Sequence, residues 1–98
     1  MAVNVSAWDA SEYLETEEDI AAYLNAVVEE GDPALLQAAL GDVAKARGMT
    51  SVARDAGVSR ESLYKSLSAS GNPSFHTVSK VSRALGLQMS FAPANADA

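Results

Sequence analysis

The sequence predicts an all-α domain of five helices followed by one short C-terminal β-strand. Apolar residues recur at three- and four-residue steps through most of the chain, which is the period of an amphipathic helix. Glycine, proline and small capping residues interrupt this pattern at spacings that suit helix ends. With 98 residues, 48% of them hydrophobic and none of them cysteine, the chain has the composition of one small domain without disulfides or zinc fingers.

The first two predicted helices have distinct start and stop signals. Thr16 can cap the first helix with its hydroxyl, the acids that follow favour a helix N-terminus, and Gly31 ends the helix. Asp32 and Pro33 begin the second helix as its cap and its first residue, and Gly48 ends it. The apolar faces of these two helices comprise Ile20, Tyr23, Leu24, Val27, Val28, Leu35, Leu36, Ala39, Leu40, Val43 and Ala44.

The third and fourth helices are predicted to pack together as a helix-turn-helix. The third covers about Thr50 to Ala56, and the fourth covers Arg60 to Leu67. Ala53 is small enough for the crossing point of the two helices, and Gly57 tolerates the positive φ of a tight turn. Ser59 can cap the fourth helix. In such a motif the second helix enters the major groove of DNA, so the fourth helix is the predicted recognition helix.

The side chains predicted to face DNA combine phosphate donors with groups that read base edges. Arg60 is the first candidate, because its guanidinium can form two hydrogen bonds to guanine. Thr50 and Ser51 lie at a helix N-terminus with free N–H groups, which suits a backbone phosphate. Glu61 can accept a hydrogen bond from cytosine, repel phosphate or pair with Lys65. The predicted DNA-binding residues are Thr50, Ser51, Ser59, Arg60, Glu61, Tyr64, Lys65 and Ser68.

The fifth helix and the predicted strand complete the chain. Ser74 can cap this helix, whose apolar residues run from Phe75 to Leu85, and Gly86 ends it. The segment Leu87–Ala92 then alternates apolar and polar residues, which is the period of a strand. Because a lone strand needs a partner, we expect it to pair across a dimer or with Val3–Val5.

Charge divides the chain into an acidic and a basic part. Residues 1–32 contain nine acids and no lysine or arginine, whereas residues 33–86 contain three acids and all seven bases. The predicted regions are therefore an acidic N-terminal segment packed on the main domain (1–32), a helix-turn-helix domain (33–86) and a C-terminal strand and tail (87–98). This division predicts one surface for DNA and another for a basic partner, although each half could also simply be solvated.

Several function classes have no support in the sequence. His76 is the single histidine, no glycine-rich phosphate loop is present, and no serine has a matching His–Asp arrangement. We therefore predict a protein that is not an enzyme and binds no metal or cofactor. The absence of a long apolar run and of a signal peptide predicts a cytoplasmic protein that does not contact membranes.

The order of several motifs resembles the probable addiction-module antidote proteins, which are HigA-like antitoxins of the Cro/repressor helix-turn-helix class. The resemblance covers roughly residues 8–92 and is carried by Gly31–Pro33, Gly57–Leu67 and Gly71–Phe75. It implies a Cro/lambda-repressor-like fold and a bacterial type II toxin–antitoxin pair. It further implies a RelE/ParE-like toxin as partner and repression of the pair's own operon by a homodimer. Two positions lack the apolar side chain expected there, Ser66 and Ser79.

A RelE/ParE-like toxin is expected to be small and basic, so the acidic segment is the predicted toxin surface. Complementary charge speeds the encounter, and exposed apolar side chains would supply the anchor. The predicted toxin-binding residues are Trp8, Tyr13, Glu17, Glu18, Tyr23 and Val27. Two alternatives remain open: a stand-alone Cro/repressor-like transcriptional regulator without a toxin partner, and an interaction module that never touches DNA.

Overall fold

The computed structural model describes residues 14–94, and these residues form five α-helices. The predicted all-α class and each predicted helix are confirmed, with helix bounds that differ from the prediction by at most one or two residues. The helices are α1 (Glu17–Glu29), α2 (Pro33–Arg47), α3 (Met49–Ala56), α4 (Arg60–Leu67) and α5 (Phe75–Ala84). No helix in this part of the chain is both long enough and apolar enough to span a bilayer.

Four of the five helices begin at the capping side chain that the sequence predicts. The side-chain oxygens of Thr16, Asp32, Ser59 and Ser74 each accept a hydrogen bond of 3.0 Å from a backbone N–H in the first turn. Such caps satisfy donors that have no partner within the helix. The exception is α3, because its N-cap residue, Gly48, has no side chain that can accept a hydrogen bond.

One continuous apolar core holds the helices together. Helix α3 is central and packs against α2, α4 and α5, whereas α1 packs against α2. Helix α4 contacts α2 and α3, and it contacts neither α1 nor α5. Helices α1 and α4 are therefore joined only through α2 and α3 and do not contact each other. The most completely buried large side chains are Leu14, Ile20, Val43, Leu63 and Val81.

The prediction of a strand over Leu87–Ala92 is wrong for the described residues, which contain no strand. Gly86 ends α5 with a φ of +81°, and the Leu87 N–H donates to the carbonyl oxygen of Ser82 at 2.9 Å. Beyond that bond, this segment forms no backbone hydrogen bond with the described residues. An alternation of apolar and polar residues forms a strand only where a neighbouring backbone can pair with it. The suggested partner, Val3–Val5, lies outside the described residues.

The apolar stripes read from the sequence are wider than the faces that the fold buries. Val28, Leu35 and Phe75 were predicted on these stripes, yet they are 54%, 45% and 71% exposed. Each lies at the edge of its helix's apolar face or near a helix end, where the neighbouring helix no longer covers it. The domain therefore carries apolar surface outside its core.

Candidate nucleic-acid interface

Helices α3 and α4 form a compact unit around a three-residue turn. Gly57 has a φ of +76°, a left-handed conformation that side chains disfavour. The Val58 N–H donates to the carbonyl oxygen of Ala53 at 3.0 Å, which closes the end of α3. Ala53 is 2% exposed, as expected of a small residue at a helix crossing. The turn therefore fixes the angle at which α4 leaves α3.

The outer face of α4 is polar and open to solvent. Leu63 and Leu67 are buried on the inner face, so the remaining positions turn outward. Among the predicted DNA-binding side chains, those of α4 and its flanking serines are all exposed and lie along one short helix. These exposed residues are Ser59, Arg60, Glu61, Tyr64, Lys65 and Ser68.

The ring of Tyr64 contacts two cations, one from α4 and one from α2. The guanidinium carbon of Arg60 lies 5.1 Å from the Tyr64 ring centroid, and the Nζ atom of Lys45 lies 5.8 Å from it. Both distances are within the range of a cation–π interaction. The ring thus restrains the Arg60 side chain, and it brings a cation of α2 onto the same surface.

Lys45 is a functional candidate that the sequence reasoning missed. It lies on α2, and nothing in its local pattern says that its side chain meets a ring on α4. The sequence indicates only that Lys45 lies in the basic part of the chain. This position does not distinguish Lys45 from the other six lysine and arginine residues.

Gln37 is a second residue that the sequence reasoning missed. Its side-chain amide nitrogen lies 3.3 Å from the carbonyl oxygen of Ser66, 2.6 Å from that of Ser68 and 3.0 Å from that of Gly71. The amide has two N–H groups, so the three carbonyl oxygens share its two hydrogens. The Ser66 and Ser68 carbonyls lie at the end of α4, where carbonyl groups lack partners within the helix. We call this arrangement the Gln37 clasp; it fixes the end of α4 and the following loop on α2.

Gly71 allows the loop to approach α4 closely. A Cβ atom at this position would overlap the backbone carbonyl oxygens of Lys65 and Ser66. Glycine is therefore required at Gly71 for close approach, while its φ is not in the left-handed region. The same approach brings the Gly71 carbonyl within reach of the Gln37 clasp.

The start of α3 has the second group of predicted phosphate ligands. Thr50 is exposed, whereas Ser51 is half-buried and accepts a hydrogen bond of 3.1 Å from the Arg54 guanidinium. Gly48 provides no side-chain cap, so the first-turn N–H groups lack a side-chain acceptor. Free N–H groups beside an exposed arginine form a suitable environment for an anion.

The four predicted toxin-binding residues of α1 lie in two different environments. Glu17 and Glu18 are exposed, whereas Tyr23 and Val27 are half-buried and pack against the core. Burial raises the pKa of the Tyr23 hydroxyl, and the nearby carboxylate of Asp42 raises it further. Tyr23 and Val27 thus take part in the packing of α1 on the domain. Trp8 and Tyr13 lie outside the described residues.

Arg47 joins the start of α1 to the end of α2. Its guanidinium donates to the carbonyl oxygen of Glu15 at 2.9 Å and lies 3.8 Å from a carboxylate oxygen of Glu17. The longer contact is a weak, half-exposed ion pair, so the bond to the backbone is the more important one.

A family model described as "Probable addiction module antidote protein" matches residues 4–93 of the chain. The chain belongs to this family. An uncharacterized protein of Haemophilus influenzae is 51% identical over 88 residues, which are 90% of this chain and 91% of that protein. No solved structure matches the chain. Membership in the family indicates an antitoxin role in a toxin–antitoxin module, and thus a toxin as partner.

This antidote protein presents basic and acidic side chains on helices that do not touch. Arg60 and Lys65 lie on α4, and Glu17 and Glu18 lie on α1. Within residues 14–94 no group of three or more acids and histidines is arranged to hold a metal ion. The arrangement on the described surfaces is suited to binding two different partners.

Proposed function

We propose that this protein is the antitoxin of a bacterial type II toxin–antitoxin module and acts in the cytoplasm. It neutralises a RelE/ParE-like toxin by direct binding and represses its own operon as a homodimer. The observation that carries the proposal is the match of nearly the whole chain to an antidote family. The exposed basic face of α4 supports the additional role in repression.

Repression rests on α3 and α4 acting as a Cro/repressor-like helix-turn-helix. Arg60, held against the Tyr64 ring, reads guanine in the major groove. Lys45 and Lys65 contact phosphates, and the N-terminus of α3 binds a further phosphate next to Thr50. Ser51, Ser59 and Ser68 add hydroxyl contacts, and Glu61 limits the bases that are accepted.

Toxin binding rests on the acidic N-terminal part of the chain. Residues 1–32 contain no lysine or arginine, so they attract a small basic protein and repel DNA. Trp8 and Tyr13 are proposed as apolar anchors before α1, and Glu17 and Glu18 as acidic contacts. Tyr23 and Val27 contribute through their exposed edges.

Co-expression with the small adjacent open reading frame tests the antitoxin role. We expect the neighbouring product to stop growth when it is induced alone, and to allow growth and co-purify when this protein is present. The double variant Arg60→Ala/Lys65→Ala is the matched control, because it should still restore growth while losing DNA binding. A harmless neighbour that does not bind would contradict the antitoxin role and leave a stand-alone transcriptional regulator.

A further inference from the structure

A groove of about 470 Å³ lies between α1, α2, α5 and the residues that follow α5. Its walls are mainly aliphatic, and two of these side chains are substantially exposed: Val28 is 54% exposed and Met89 is 42% exposed. Exposed apolar side chains that line a concave surface are typical of a binding site. Six of the apolar lining residues carry the argument: Leu24, Val28, Leu36, Leu40, Val78 and Met89.

The charged residues that line this groove are all acidic. Glu17 and Glu18 border it, and no lysine or arginine is among its described lining residues. Glu18 forms no salt bridge with residues 14–94, and Glu17 has the single weak contact with Arg47. An apolar floor with an acidic border favours an occupant that offers an apolar side chain next to basic ones.

The charges of the chain itself argue against an occupant from the same protein. Residues 1–32 contain no lysine or arginine, and the C-terminal residues 87–98 contain none either. Neither terminal segment can therefore supply positively charged side chains to Glu17 and Glu18. A second copy of the whole protein, with a net charge of −6, is also repelled on average.

The groove and the basic face of α4 are separate surfaces. None of the described residues that line the groove lies on α4. Helices α1 and α5 do not contact α4, whereas α2 contacts α4 and also lines the groove. Arg60 and Lys65 are therefore not part of the groove.

We propose that this groove is the docking site of the toxin, which inserts an apolar side chain flanked by lysine or arginine. The inference rests on the proposed antitoxin function and assigns the anchor to Val28 and Met89 rather than to the half-buried Tyr23 and Val27.

The test measures the affinity of the full chain for the purified product of the adjacent gene by calorimetry. Val28→Asp and Met89→Asp each place a negative charge in the apolar part of the groove. Glu18→Lys replaces a negative charge at the border of the groove with a positive one. Each should weaken binding roughly tenfold or more, as loss of a central anchor does. The matched controls are Leu35→Asp, which alters a similarly exposed apolar residue outside the lining, and Glu29→Lys, which reverses another acid of α1.

Each outcome decides the proposal. Weakened toxin binding in the groove variants, with unchanged DNA affinity and with controls close to wild type, supports it. Wild-type toxin affinity in both Val28→Asp and Met89→Asp overturns it and leaves the antitoxin function intact. Failure of the wild-type chain to bind the neighbouring product overturns both.

Two further measurements identify a different occupant. A dimer that dissociates in Val28→Asp would assign the groove to a second copy of the chain. A red shift of Trp8 fluorescence in the free Met89→Asp variant would assign it to the N-terminal segment, since Trp8 is the single tryptophan. Either result overturns docking of the toxin at this site.

Discussion

At the scale of single residues, the proposed DNA surface depends on one contact within a helix and one contact between two helices. Arg60 and Tyr64 are one helical turn apart, so their stacking follows from the spacing within α4. Lys45 reaches the same ring from α2, across a helix–helix contact. A contact within one helix, such as that of Arg60 with Tyr64, can be predicted from sequence. A contact between two helices, such as that of Lys45 with Tyr64, can be predicted only when the packing angle of the helices is known.

Replacement of these cations should weaken operator binding unequally. Arg60→Ala is expected to cost about 1–3 kcal/mol and to relax specificity at one base position, because it removes a base contact. Lys45→Ala should weaken binding to all sequences and flatten the salt dependence, because it removes a phosphate contact. Fluorescence anisotropy at several salt concentrations measures both effects.

Arg83→Ala is the control for this comparison. It removes the same charge from α5, which does not contact α4, and should change affinity much less. Equal losses in the three variants would show that only the overall charge matters, and would contradict a specific role for Arg60.

At the scale of the elements, helix boundaries were predictable because their signals are local. Thr16, Asp32, Ser59 and Ser74 cap helices within their own first turns, so no tertiary information was needed. The strand over Leu87–Ala92 failed for the opposite reason, since a strand exists only beside another strand. The groove and the exposure of Val28 could not be predicted from sequence either. Apolar periodicity shows which face of a helix is apolar, but it does not show how much of that face the neighbouring helices cover.

The Gln37 clasp should contribute measurably to the stability of α4. Gln37→Ala removes the amide donor from the carbonyl oxygens at the end of α4, which we expect to lower the free energy of unfolding by about 1–2 kcal/mol. Urea denaturation followed by circular dichroism measures this loss. Gln88→Ala replaces an exposed glutamine as a control, and a loss of the same size there would contradict a role for the clasp.

At the scale of the whole molecule, the separation of charge seen in the sequence corresponds to two helices that do not contact each other. The acids of α1 and the bases of α4 are on helices without mutual contact. The sequence could predict two oppositely charged regions, because the order of acids and bases along the chain is visible in it. It could not predict that α1 and α4 lack mutual contact, because that depends on how five helices pack.

The shortness of α4, the proposed recognition helix, predicts that the protein works as a dimer. Helix α4 has eight residues, too few to read more than a few base pairs, and paired half-sites overcome this limit. We expect sedimentation to show a dimer at micromolar concentration, and footprinting to show two half-sites about one helical turn apart. A protein that is a monomer both free and on its operator would contradict this expectation.

The Gln37 clasp also has a topological consequence. It joins positions 34 residues apart, Gln37 and Gly71, and the whole of α3 and α4 lies inside the loop that it closes. A closed loop has less freedom to fluctuate than a chain held at one end. The amide protons of α4 should therefore exchange with solvent only when the entire domain opens, and the proposed recognition helix would meet DNA with its orientation already fixed.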